Sequence, residues 1–216
     1  MSGPSDEQSP NERELTDRDY RVDIWDYFER GWTLFTQNAG LLFGFLLVLF
    51  AVQFGLGSLG NRLGTILGVI VGGPLNAGWF YFLFARLQGQ SPGFQAFFDG
   101  FRWRRLPSLI NVSVFPSVLT AIGFVLLVLP GIYFSVAYLF AMPLVVERGL
   151  KFWPAMETSR RIISRNWFGL FGFTLAIAAV NFIGALLLGV GLLATVPWSV
   201  CTLAVAYERI VGLKAT

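Results

Sequence analysis

The sequence predicts an all-α integral membrane protein, a polytopic bundle of six transmembrane helices. Hydrophobic residues make up 55% of its 216 residues and charged residues only 13%, whereas soluble domains carry about 25% charged residues. The charges are also clustered and leave four uncharged runs, at 31–61, 63–85, 106–146 and 166–207. One helical span needs about 20 apolar residues, so each of the two longest runs holds two spans. A soluble enzyme or a nucleic-acid-binding domain is thereby excluded.

Turns divide the two longest runs. Leu129-Pro130-Gly131 and Gly189-Val190-Gly191 lie near their centres, and glycine and proline favour a turn over continued helix. The six predicted spans are 40–57, 63–85, 109–129, 132–146, 167–188 and 192–207.

Basic residues lie almost entirely on one side of these spans. Of the 16 arginines and lysines, only Arg62 falls in a connector on the opposite side. Because cytoplasmic segments are enriched in Arg and Lys, both termini are expected in the cytoplasm. Residues 1–30 contain nine acids and four arginines, a net charge of −5, and the segment 1–19 is expected to be a disordered acidic tail.

Internal similarity groups the six spans into three units. Residues 37–45 align without gaps on 165–173, and residues 74–89 align on 197–212. Each unit is predicted to be a cytoplasmic amphipathic helix followed by a membrane hairpin. The middle unit matches less well, because its turn proline precedes its arginine by 18 residues rather than 12. Within a membrane domain of 20–212, the units are about 20–89, 91–149 and 151–212.

Three amphipathic segments precede the predicted hairpins. The first has Trp25, Phe28, Trp32 and Phe35 on one face, the second is rich in phenylalanine from Phe94 to Phe101, and the third begins at Pro154. A bulky aromatic face beside arginines is typical of a helix in the headgroup layer. The alternative is that these helices only cover the end of the bundle. The candidate headgroup-binding residues are Arg102, Arg104, Arg105, Arg160, Arg161 and Arg165.

Glycines recur every fourth residue in and before the second span. Such spacing places them on one helix face and allows a neighbouring backbone to approach closely. Tight packing within the chain is the preferred interpretation, and a glycine-lined pore or a homo-oligomer contact is the alternative. The predicted packing residues are Gly60, Gly64, Gly68 and Gly72, with Gly40 and Gly44 in the first span.

No catalytic, cofactor or metal site is predicted. The chain contains no histidine and a single cysteine, Cys201, which excludes histidine general bases and disulfides within the chain. Acids beyond residue 30 are few and lie at the predicted ends of spans. Three polar residues within the spans, Asn76, Asn111 and Asn181, are candidates either for hydrogen bonds between helices or for lining a transport path.

Several motifs carry a resemblance to a known family. They are Gly73-Pro74-Leu75-(x2)-Gly78, Phe94-(x2)-Phe97-Phe98-(x)-Gly100-Phe101, Ala155-(x3)-Ser159-Arg160-(x5)-Asn166-Trp167 and Ala206-Tyr207-Glu208-Arg209. With these motifs, residues 20–212 resemble a large group of poorly characterised bacterial inner-membrane proteins. That group includes the membrane domain fused to some glycerophosphodiester phosphodiesterases. The resemblance implies a six-helix bundle with cytoplasmic amphipathic connectors in a bacterial cytoplasmic membrane, and it implies no activity.

The expected function is therefore non-enzymatic. We expect a scaffold that interacts with lipid, anionic phospholipid in particular, or that organises other membrane components, with a membrane protein or a second copy of the chain as a candidate partner. The alternative is a transporter or channel for a small neutral or amphiphilic solute. A continuous polar cavity joining Asn76, Asn111 and Asn181 would favour transport, whereas a filled centre would favour the scaffold.

Overall fold

The computed structural model describes residues 20–60, 62–126, 128–187 and 189–214, and the predicted acidic tail at 1–19 lies outside them. All regular secondary structure in these described ranges is helical. The elements in chain order are α1 (Ile24–Ser58), α2 (Arg62–Leu87), a Phe-rich 3₁₀ helix (Phe94–Phe101), α3 (Leu106–Leu126), α4 (Val128–Ala137), α5 (Ala141–Arg148), α6 (Phe152–Arg165), α7 (Trp167–Leu186) and α8 (Leu192–Val211).

Five helical segments of the described chain are long and apolar enough to cross a membrane, which indicates a multi-pass membrane protein. They are α1, α2, α3, the pair α4–α5 taken as Val128–Arg148, and α7. The sixth predicted span lies within α8, which is not among the five. Half of the 20 residues of α8 are buried, and Cys201, Ala204 and Tyr207 are fully buried. A helix that meets little lipid needs a less apolar composition, so α8 carries a weaker hydropathy signal.

The first predicted amphipathic helix is not a separate element. Helix α1 runs without interruption for 35 residues, about 52 Å at 1.5 Å per residue. Asp23 caps its start by accepting a hydrogen bond from the N–H of Asp26 at 3.1 Å, and no proline interrupts it. The hydrocarbon core is only about 30 Å thick. One continuous helix therefore contains both the predicted amphipathic segment and the first span.

The second predicted amphipathic helix also differs from the prediction. It is a 3₁₀ helix that packs against the middle of α2 and does not lie apart from the bundle. The Phe97 ring stacks between Phe45, at a centroid distance of 4.2 Å, and Phe82, at 4.3 Å. Gly100 lies against the carbonyl of Pro74. Because Pro74 lies at the centre of the predicted span 63–85, 11 residues from each end, this helix is inserted into the bundle.

The third predicted amphipathic helix is present as α6. Its apolar side chains Ala155, Met156, Ile162 and Ile163 are buried, as the spacing predicts. Tyr20, which precedes α1, donates a hydrogen bond to the carbonyl of Ile162 at 2.6 Å. Burial raises the pKa of this phenol to about 12. Helix α6 is therefore attached both to the core and to the start of the described chain.

Many of the largest fully buried side chains lie toward the end of the bundle that holds the basic connectors. Its core is aromatic, with Phe82, Phe97, Phe140, Phe173 and Tyr207 fully buried. Toward the other end, large apolar side chains of α1, α3 and α7 are exposed, among them Phe54, Val125 and Phe182. Exposed apolar side chains on long apolar helices are typical of a lipid-facing surface.

Candidate functional site

A pocket lined by positively charged side chains lies between the start of α3 and the connector from α5 to α6. None of the described residues that line it is acidic. We call it the basic pocket; its lining residues are Arg104, Arg105, Ser108, Val145, Arg148, Gly149, Leu150 and Lys151.

The volume of the basic pocket is about 570 Å³. A volume of this order falls within the range of small-molecule sites, about 300–1,000 Å³.

Two of the four cations in the basic pocket are held in place by backbone carbonyls. Arg105 donates to the carbonyl of Val146 at 2.6 Å and to the hydroxyl of Tyr81 at 3.2 Å. Arg148 donates to the carbonyl of Gly212 at 2.7 Å. The chain turns directly after Arg148, because Gly149 adopts a positive φ of 69°. Two anchored guanidinium groups therefore form one wall, while Arg104 and Lys151 are exposed at the rim.

One buried carboxylate lies close to the basic pocket. Glu147, whose side chain is 3% exposed, forms an ion pair with Arg148. It also accepts hydrogen bonds from the Tyr207 hydroxyl at 3.1 Å and from the backbone N–H of Lys214 at 2.6 Å. Because this carboxylate is saturated by internal donors, it compensates one charge and leaves the basic pocket with a net positive charge.

Exposed indole rings adjoin the basic pocket in sequence. Trp103 directly precedes Arg104 and is 88% exposed, and Trp153 follows Lys151 by two residues and is 64% exposed. Tryptophan is enriched at membrane–water interfaces, where its ring sits at the level of the headgroups. The two rings are therefore suited to place the basic pocket beside lipid headgroups.

The structure does not bring the six predicted headgroup-binding arginines together. Only Arg104 and Arg105 line the basic pocket. Arg102 pairs with Asp99 at 3.0 Å, and Arg165 is exposed at the end of α6. Arg148 and Lys151 also line the basic pocket. They are not among the predicted site residues, because their sequence pattern indicates only a cytoplasmic connector.

Arg160 and Arg161 both bind Glu157 on their own helix. The shortest nitrogen–oxygen distances are 2.7 Å for Arg160 and 2.8 Å for Arg161. The hydrogen bond from Arg160, followed by that from Arg161, holds the pKa of Glu157 below its usual value of 4.5. One carboxylate therefore offsets part of the positive charge that the sequence places on α6.

A second concave site, which we call the groove, lies between α1, α2 and α3. Its volume is about 960 Å³, and it is open on one side. Its polar lining residues are Gln53, Arg62, Thr65, Asn76, Ser113 and Ser117. Its glycines are Gly57, Gly60, Gly64, Gly68, Gly72 and Gly73.

The predicted glycine face borders this groove. A Cβ atom on Gly64 would collide with the carbonyl of Leu56, whereas one on Gly68 or Gly72 would lie 3.7 Å from the Gln53 side chain. Close backbone approach therefore occurs at Gly64, and space remains at the next two positions. Of the other predicted glycines, a Cβ atom on Gly40 would meet no neighbouring atom within 4 Å, and one on Gly44 would lie 3.5 Å from the Phe94 ring. Gly60 lies in a turn and has a positive φ of 61°.

Several close contacts involve glycines outside the predicted face. Gly78 lies against the carbonyl of Phe97, and Gly31 lies against Thr202. A Cβ atom on Gly73 would lie 2.8 Å from the carbonyl of Leu109. The motif around Gly73 and Gly78 therefore serves helix packing, although spacing alone does not reveal which partner each glycine meets.

The three predicted intramembrane asparagines lie in different places. Asn76 lines the groove and donates to the carbonyl of Gly72 at 2.9 Å. Asn181 donates to the hydroxyl of Ser199 at 2.7 Å and so joins α7 to α8. Asn111 is half-buried on α3 and does not line the groove. A transport path would require these three residues to line one cavity. The three described residues do not share a cavity.

No family model, curated protein or solved structure matches this chain. Among the residues that the structure describes, no three histidine, cysteine, aspartate or glutamate side chains are grouped closely enough to hold a metal ion.

Proposed function

We propose that this protein is a non-enzymatic integral membrane protein of a bacterial cytoplasmic membrane, and that it binds anionic phospholipid at the basic pocket. The observation that carries the proposal is the grouping of four cations around one cavity without an acidic lining residue. These cations are Arg104, Arg105, Arg148 and Lys151.

The chemistry of the basic pocket fits a phosphate group. Guanidinium groups bind phosphate through paired N–H donors, and ammonium groups bind it as point charges. Each basic residue near an anionic leaflet contributes about 1 kcal/mol to membrane binding. Because Arg105 and Arg148 are already anchored to carbonyl groups, they lose little side-chain freedom when a ligand binds.

The proposal includes a sixth span, formed by α8, and cytoplasmic positions for both termini. Helix α8 has 20 residues, about 30 Å at 1.5 Å per residue, which matches the hydrocarbon core. The distribution of arginine and lysine supports the same orientation. Reporter fusions near Gln90 and at the C-terminus should report the cytoplasm, and fusions near Gly189 should report the outside. An external C-terminus would contradict six spans.

The lipid proposal can be tested with matched charge variants. Arg104→Gln combined with Lys151→Gln removes the two exposed cations of the basic pocket. Arg160→Gln combined with Arg161→Gln removes the same charge from α6 and is the control. Native mass spectrometry of gently extracted protein should show loss of co-purified anionic phospholipid in the first variant only. Equal lipid content in the two variants would argue against the basic pocket as the site.

A further inference from the structure

The groove reaches from one end of α2 to its middle. Arg62 lies at the start of α2, and Asn76 lies 14 residues further along, a rise of about 21 Å. The lining residues on α2 end at Asn76, and the remainder of α2, to Leu87, does not line the groove. The groove is therefore a site of limited depth within the bundle and not a passage through it.

Its deeper wall presents oxygen atoms. Ser113 donates its hydroxyl hydrogen to the carbonyl of Leu109 at 3.0 Å, and Ser117 donates to the carbonyl of Ser113 at 2.7 Å. Since these hydrogens are already used, the two hydroxyls offer lone pairs to a ligand. Asn76 adds a carbonyl oxygen, because its Nδ2 atom bonds to Gly72. The deeper groove thus favours a ligand that donates hydrogen bonds, such as a hydroxyl group.

The mouth of the groove presents a positive charge. Arg62 is the one ionisable residue among the described lining residues. It favours an anionic ligand group at the end of the groove where α2 begins. An alkyl chain is poorly suited to the polar deeper wall, because buried polar groups without partners are costly.

We infer that the groove binds the headgroup of a phosphoglycerol lipid, with the phosphate at Arg62 and the glycerol hydroxyls directed along the groove toward Ser117. The acyl chains remain outside, where exposed apolar residues such as Phe54 and Leu63 follow the same helices. The glycines supply the room, since Gly68 and Gly72 leave space beside Gln53. The inference rests on the proposed function only for the placement of the chain in a membrane, because the groove shares no lining residue with the basic pocket.

The test uses protein in which Arg104→Gln and Lys151→Gln already weaken the basic pocket. Binding of phosphatidylglycerol, phosphatidic acid and phosphatidylcholine is measured by native mass spectrometry at matched lipid concentrations. Phosphatidylglycerol should bind most tightly, because it alone supplies both an anionic phosphate and free hydroxyl groups. Equal binding of the three lipids would overturn the inference.

Two groove variants and one control complete the test. Gly68→Leu fills the groove and should weaken phosphatidylglycerol binding roughly tenfold or more. Arg62→Gln should weaken it roughly fivefold and leave phosphatidylcholine unaffected. Gly55→Leu is the control, since a Cβ atom on Gly55 would meet no neighbouring atom within 4 Å and Gly55 does not line the groove. Thermal unfolding of each variant checks that the fold is retained.

The outcomes separate this inference from the proposed function. If Gly68→Leu binds phosphatidylglycerol as tightly as Gly55→Leu, the groove assignment is overturned whatever the basic pocket does. If groove variants lose binding while the pocket variants retain all their anionic lipid, the groove is supported and the proposed function fails.

Discussion

Ser159 of α6 completes the backbone hydrogen bonding of a helix pair to which it does not belong. Its Oγ atom accepts a hydrogen bond from the N–H of Phe140 at 3.2 Å and donates one to the carbonyl of Ala137 at 2.8 Å. The turn at 138–140 separates α4 from α5 within a candidate span. A broken helix in a membrane must find new partners for its freed backbone groups, because lipid supplies none. Ser159 is such a partner.

Ser159→Ala should therefore destabilise the protein. It leaves two buried backbone groups without this partner, at a cost of about 1–3 kcal/mol in the free energy of unfolding. Ser164→Ala is the matched control, because Ser164 is exposed and bonds only to the carbonyl of Arg160 on its own helix. Thermal denaturation in detergent should show a clear loss for Ser159→Ala and little change for Ser164→Ala. The same melting temperature in both variants would contradict this role.

Two glycines should respond in opposite ways to alanine. Gly78→Ala places a Cβ atom against the carbonyl of Phe97, whereas Gly40→Ala meets no atom within 4 Å. Overpacking costs about 1–3 kcal/mol, whereas alanine in a helix interior gains about 0.5–1 kcal/mol over glycine. The melting temperature should fall for Gly78→Ala and rise slightly for Gly40→Ala. A fall at Gly40 equal to that at Gly78 would contradict this expectation and support the predicted packing role of Gly40.

The sequence predicts the helices of this fold better than their contacts. Long uncharged runs and turn residues locate most helices, because burial in lipid imposes composition on every residue of a span. The contact of α1 with α8 and the position of the 3₁₀ helix depend on partners far away in the chain, such as Thr202 for Gly31 and Pro74 for Gly100. The basic pocket likewise joins Arg105 to Arg148, 43 residues apart, and neither residue has a local pattern that identifies the other.

Glu157 should make the stability of α6 sensitive to acid. Hydrogen bonds from Arg160 and Arg161 lower its pKa below 4.5, so the folded state favours the carboxylate. Its contribution is complete above the usual pKa and is lost as the pH falls through the lowered value. Pairs this exposed contribute about 0.2–1 kcal/mol. The melting temperature of Glu157→Gln should lie below that of the unaltered protein at pH 7, and the gap should narrow below pH 4.5. A gap that is constant from pH 7 to pH 3 would contradict this.

The first and last described helices are joined by two ion pairs. Arg209 approaches both carboxylate oxygens of Asp26, at 3.2 and 3.4 Å, and Arg30 approaches Glu208 at 3.4 Å. Both pairs connect the start of α1 to the end of α8. Contact between these helices brings the two ends of the described chain together.

Exchange of one pair tests whether this attachment is specific. Asp26→Arg and Arg209→Asp should each lower the melting temperature, because each places like charges at the α1–α8 contact. The double variant should recover part of the loss, with a coupling energy of about 0.2–1 kcal/mol in a double-mutant cycle. The control is the same exchange at Asp99 and Arg102, a pair within one turn of chain, where exchange should leave the α1–α8 attachment unchanged. Strictly additive losses at Asp26 and Arg209 would show that their ion pair contributes nothing to the closure of the bundle.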